Sequence, residues 1–126
     1  MARKRIIWVG SSEKDFLAFP DDVQSDMEGA LTYASLGGKA EHVKPLKGFS
    51  GASVLEILED DSSGTYRCIY TVKYPTRIYV LHAFKKKSHK GISTPKEHID
   101  MVERRLKRAA ELEVEFLKQE KKGKGS

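Results

Sequence analysis

The fold is decided by Tyr66-Arg67-Cys68-Ile69-Tyr70-Thr71-Val72 and the stretch that follows it, Arg77-Ile78-Tyr79-Val80-Leu81-His82-Ala83-Phe84. Both runs are rich in β-branched and aromatic residues, which predicts strands. The second is apolar almost throughout, as expected of a central strand covered on both faces. Lys73-Tyr74-Pro75-Thr76 turns the chain between them. Upstream, Val54-Leu55-Glu56-Ile57-Leu58 reads as a third strand, joined to the first run by the turn cluster Glu59-Asp60-Asp61-Ser62-Ser63-Gly64. An antiparallel meander is the simplest arrangement of the three.

Toward the N-terminus, Arg5-Ile6-Ile7-Trp8-Val9 predicts a further strand, closed by Gly10-Ser11-Ser12. Ser12, with Asp15 three positions on, has the capping-box pattern for a short helix reaching Phe19. Pro20 ends that helix and starts the next, in which Val23, Met27, Ala30, Leu31 and Ala34 share one face until Gly37-Gly38 stops it. Toward the C-terminus, Thr94-Pro95-Lys96-Glu97 combines an N-cap, a first-turn proline and a capping box. Ile99, Val102, Leu106, Ala110, Val114 and Leu117 then hold helical spacing and predict a stripe that docks on the sheet. The expected class is α+β: a small, twisted, mainly antiparallel sheet with an N-terminal helical hairpin and a C-terminal helix.

With 126 residues, 39% hydrophobic and 33% charged, the chain fits one domain. That domain is expected over residues 1–117, with 118–126 as a basic, disordered tail that has little to bury. No apolar run approaches the roughly 20 residues a bilayer crossing needs, and none forms a signal-peptide core, so a cytoplasmic location and no membrane partner are expected. Cys68, the single cysteine, sits in a strand and reads as a buried structural thiol.

The net charge of +5 is unevenly distributed. Residues 1–83 carry 10 Lys/Arg and 11 Asp/Glu, whereas 84–126 carry 13 and 7. A localised basic surface suits a polyanion, since each cation that neutralises a phosphate releases counterions. A solvated basic helix would give the same count.

Familiar catalytic signatures are missing from the sequence: there is no phosphate-binding glycine loop, no nucleophile elbow and no Cys/His pairing at zinc spacing. His42, His82, His89 and His98 fall on four separate segments, and the carboxylates cluster on early helices and a turn, so neither a metal nor another cofactor is expected. What remains is cationic: Lys47 beside Gly48, Arg67 on a strand, and Lys85, Lys86 and Lys87 leaving the central strand. RNA brings its own nucleophile, the 2′-hydroxyl. A protein must align it with the phosphorus, accept its proton and stabilise the added negative charge, work that Arg and Lys can largely perform. Tyrosines and histidines nearby would stack bases or pass protons. The same lysines also read as a cluster that keeps a sheet margin soluble and unpaired.

A resemblance sharpens this reading. The runs Tyr66–Val72, Ile78–Lys90 and Thr94–Glu97, with Leu46-Lys47-Gly48 and Leu55-Glu56-Ile57 upstream, resemble the phage-derived branch of the RelE/HigB toxins over about residues 40–108. That branch implies a small sheet with two helices on one side and one at the end. It further implies cleavage of mRNA, often on the ribosome, and inhibition by a helix-turn-helix, HigA-like antitoxin encoded next door. By family position Arg67 would stabilise the scissile phosphate. Lys85, Lys87 and His89 would join it in catalysis, while Lys47, Lys86, Lys90, Tyr70 and His82 would contact the RNA.

Two departures stand out. Leu58 occupies a position where many relatives carry arginine, and Gly91-Ile92-Ser93 lengthens the basic loop. They keep two other readings open, a non-catalytic RNA- or ribosome-binding module and a degenerate toxin retained for antitoxin binding. With Arg67 as an accessible phosphate ligand, Arg67→Ala would abolish growth arrest and leave the melting temperature nearly unchanged.

Overall fold

In a computed structural model, residues 3–49, 51, 53–86 and 94–124 are described. They form strand β1 (Arg5–Trp8), helices α1 (Ser12–Phe16) and α2 (Asp21–Ser35), strands β2 (Val43–Pro45), β3 (Val54–Asp61), β4 (Gly64–Thr71) and β5 (Arg77–Lys86), and helix α3 (Lys96–Lys124). The sheet order is β1-β5-β4-β3-β2. β2 through β5 make the expected antiparallel meander, and β1 adds in parallel to the outer side of β5. β5 is therefore an interior strand, paired on both sides and covered on both faces, as its composition predicted.

Two apolar clusters cover the two faces. Phe16, Phe19, Val23, Met27, Leu31 and Ala34 of the helical hairpin pack on Ile57, Tyr66, Cys68, Tyr70, Ile78 and Val80. On the other face, Val102 and Ala109 of α3 pack on Val54, Ile69, Tyr79, Leu81 and Phe84. The α+β class and its helix arrangement stand as expected. Gly37 has φ +93, and the amides of Gly37 and Gly38 close back on the carbonyls of Ala34 and Tyr33, a paired C-terminal cap that an L residue at 37 would strain. Cys68 is fully buried, which pushes its thiol up to about 12 and leaves it unreactive.

Several local expectations are corrected. The hairpin turn is shorter than the polar cluster suggested: β3 runs to Asp61, leaving Ser62-Ser63 as the loop, closed where Asp61 accepts from the Ser63 amide and hydroxyl. Ser12 does not cap α1; its hydroxyl is buried and donates to the Val80 carbonyl on β5. The stripe on α3 is rotated from the expected one: Val102, Ala109 and Glu113 are buried, while Val114 and Leu117 are each 51% exposed. The sequence stripe advanced by fours from Val102 to Val114, and each such step drifts about 40° around a helix of 3.6 residues per turn. Helix α3 runs on to Lys124, and within its last turns Glu120 pairs with Arg77 on β5 at 2.7 Å.

Candidate nucleic-acid interface

Alternation along β3, β4 and β5 sends Val54, Glu56, Leu58, Arg67, Ile69 and Phe84 to the face under α3. Arg67 is 2% exposed. Its Nη1 donates to Glu56 Oε2 at 3.2 Å and to the Thr94 hydroxyl at 2.9 Å, and Thr94 donates in turn to the same Glu56 oxygen at 3.0 Å. Its Nε is buried with no hydrogen-bond partner among the described residues. Thr94, expected to cap α3, is thus committed to the Arg67–Glu56 pair. Leu58 lies directly opposite Arg67 on β3 and sets an apolar side chain beside the buried guanidinium.

A cavity of about 270 Å³ opens above this pair, lined by Lys44, Pro45, Leu46, Lys47, Glu56, Thr94 and Ile99. Lys44 and Lys47 are exposed at its rim, where they present ammonium groups to solvent while Glu56 forms part of the wall. β2, which supplies Lys44, is an edge strand carrying lysine and proline, two devices that deter further strand pairing.

The expected cationic group is only partly assembled. Lys85 and Lys86 leave β5 on opposite faces: the Lys85 ammonium lies 5.5 Å from the Tyr66 ring on the hairpin side, and Lys86 alternates to the Arg67 side. Tyr70 is fully buried in the hairpin-side core, so it offers no ring to a base. Lys87, His89 and Lys90 lie outside the described residues, as does the Gly91-Ile92-Ser93 segment. Arg67 is internal and paired, not an open phosphate ligand, because Glu56 shares its face from the neighbouring strand.

His82 is also buried, and its position comes from an irregularity in β5. The register slips between Ile69 and Tyr70, so Leu81 and His82 both turn to the α3 face. His82 Nε2 lies 2.8 Å from His98 Nδ1 on α3, which brings together two histidines that the sequence had left on separate segments. The His98 ring stacks on Phe84 with centroids 3.8 Å apart. Burial, then His98 and Arg105, push the His82 pKa from 6.5 down to about 4. Below pH 6.5 the unfolded chain takes up a proton that the folded chain refuses, so this contribution to stability is intact above pH 6.5 and fades as pH falls toward 4. Urea midpoints measured from pH 7.5 down to 4.5 are expected to decline across that window.

Residues 14–107 match the model of the family described as phage derived protein Gp49-like (DUF891). The chain belongs to this family. Its membership bears out the resemblance to the phage-derived RelE-like branch. The Gp49-like chain also resembles a solved chain of the RelBE2 toxin–antitoxin complex of Mycobacterium tuberculosis, at 14% identity and a TM-score of 0.43, covering 70% of this chain and 97% of that one. No curated protein matches it. Among the described residues, no helix is long and apolar enough to cross a membrane.

Glu56, Thr94, His98, Arg105 and Lys44 were not among the expected site residues. One signal for Glu56 was available: a lone carboxylate inside Val54–Leu58 needs a buried cation, and Arg67 holds the corresponding place in the next strand.

Proposed function

We propose that this Gp49-like chain is the toxin of a type II toxin–antitoxin pair, an endoribonuclease that cleaves mRNA by attack of the RNA 2′-hydroxyl without a metal. The observation that carries the reading is the rim of exposed Lys44 and Lys47 above the buried Arg67–Glu56–Thr94 group, in a chain of this family. In this mechanism Lys47 and Lys86 hold the phosphate backbone and offset the charge that grows on the phosphorane. Arg67 acts as a positioning residue that fixes β3, β4 and Thr94 beneath the strand. Lys85, Lys87, His89 and Lys90 remain the family's candidates for the remaining backbone and proton-transfer contacts. The ribosome-bound mRNA is the proposed substrate, a HigA-like helix-turn-helix protein the proposed inhibitor, and the cytoplasm the site of action.

Induced expression with and without the neighbouring gene, followed by mapping of mRNA 5′ ends, tests this directly. New 5′ ends and growth arrest, both suppressed by the neighbour, are expected. Lys47→Glu should relieve the arrest and lower the salt slope of RNA binding by about 1. Because Lys47 is exposed, stability should change by under about 0.5 kcal/mol. The burial of Arg67 favours one other reading, an RNA- or ribosome-binding module without chemistry. It would arrest growth without producing new 5′ ends.

A further inference from the structure

The contacts of Arg105 determine where the protons sit in the histidine pair. Its Nη1 donates to the Leu81 carbonyl at 3.1 Å and faces His82 Nδ1 at 3.3 Å, while Nη2 donates to the Ser11 hydroxyl at 2.9 Å. A guanidinium can only donate, so His82 Nδ1 must accept, and a neutral His82 carries its proton on Nε2. That Nε2–H donates across 2.8 Å to His98 Nδ1, which leaves the proton of His98 on its own Nε2. The opposite assignment would set an N–H of His82 against an N–H of Arg105. Adding a proton to either ring creates the same conflict.

The arrangement is held from several sides. The His82 and His98 rings flank Phe84, at 5.2 and 3.8 Å between centroids. Gly10, at φ +59, lets the turn after β1 close on Arg105, since a methyl group there would stand 2.8 Å from Nε. The charged groups facing the pair are Asp15 from α1, Arg67 from β4, and Glu97 and Arg105 from α3. Asp15 already accepts a hydrogen bond from Ser11, and Glu97 lies 3.9 Å from His98 Nε2. The His98 side chain is 26% exposed, and it falls in the chain between Thr94 and Ile99, which line the cavity above Arg67.

We propose that Arg105 and His82 hold His98 as an uncharged imidazole whose Nε2–H donates to a phosphate oxygen of RNA bound at the Lys44–Lys47 rim. This rests on the RNA reading above and adds a directional contact to it. A neutral donor does not titrate near pH 7, so the contact stays the same across that range, and the lysines supply the charge. His98 is the contacting residue; His82 and Arg105 are positioning residues.

Long-range proton–nitrogen NMR of the imidazoles in the full chain, between pH 5.5 and 8, reads the proton positions without any activity assay. Both rings are expected to carry hydrogen on Nε2 alone at neutral pH, with His82 silent across the range. Adding a short RNA with 2′-deoxy linkages, which resists cleavage, should move the His98 Nε2–H signal. His98→Phe keeps the stacking and removes the donor, and should weaken binding of that oligonucleotide about ten-fold. His98→Gln should recover most of this loss, and Arg105→Leu should release the Nδ1 of His82 from its acceptor role, so that hydrogen appears on both nitrogens of the two rings in the same spectra. A proton on His98 Nδ1, a charged His98 at pH 7, or a folded His98→Phe variant that binds like the wild type would each overturn the inference. A wild-type chain that binds no RNA would instead bring down the ribonuclease reading together with this contact.

Discussion

Arg67→Ala is expected to lose about 3–5 kcal/mol of stability, because it leaves the Glu56 carboxylate buried without its cation. This reverses the expectation from sequence of a nearly unchanged melting temperature. Glu56 and Arg67 are 3% and 2% exposed at the side chain, so water cannot compensate either one when the other is removed. Glu56→Ala should cost a similar amount. The double variant Glu56→Leu/Arg67→Met replaces the pair with apolar groups of similar length and should recover most of the loss. Urea midpoints of the three variants provide the check, and a double variant no better than Arg67→Ala would show that the pair is not the source of the cost. In the stabilised double variant, growth arrest can then be scored without confusion from unfolding.

The second large effect is expected at the other end of α3. Glu113 accepts from Arg77 Nη1 at 3.2 Å and from the Tyr79 hydroxyl at 2.7 Å, with all three residues buried. Glu113→Leu should cost about 3 kcal/mol, since it takes the acceptor from the Tyr79 hydroxyl and removes the buried carboxylate from Arg77, which keeps the half-exposed Glu120 and the Thr76 hydroxyl. Glu120, whose side chain is 47% exposed, makes the comparison: Glu120→Ala should cost under about 1 kcal/mol. Hydrogen exchange should locate the damage in Glu113→Leu, with protection lost first in the last turns of α3, where Phe116 is held by the Arg77 guanidinium 4.5 Å from its ring centre.

The sequence was most informative where one short-range pattern decides the outcome. β3, β4 and β5 were legible because their composition left no helical alternative, and α2 because Val23, Met27, Leu31 and Ala34 keep an unbroken face. β2 was not: three residues, Val43-Lys44-Pro45, carry no period, and proline argues against a strand until an edge position is known. The site depended on longer-range facts. Arg67 looked available because its partner Glu56 becomes its neighbour only through the β3–β4 register, and Thr94 fits a cap by pattern yet is drawn to that ion pair instead. His82 and His98 meet because β5 slips register at Ile69/Tyr70, and a slip of that kind leaves no mark in hydrophobic spacing.

The parallel pairing of β1 with β5 also orders events during synthesis. Arg5 to Trp8 are made long before their partners Arg77 to Val80, so β1 waits while the intervening helices and strands are synthesised. Until then its β-branched edge is unsheltered, and a contact spanning that much chain forms slowly. A nascent or truncated chain lacking β5 has no strand to join β1 to β4 and lacks the main seat of its last helix. The sheet that carries Arg67, His82 and the lysines of β5 is therefore completed only once β5 has been made.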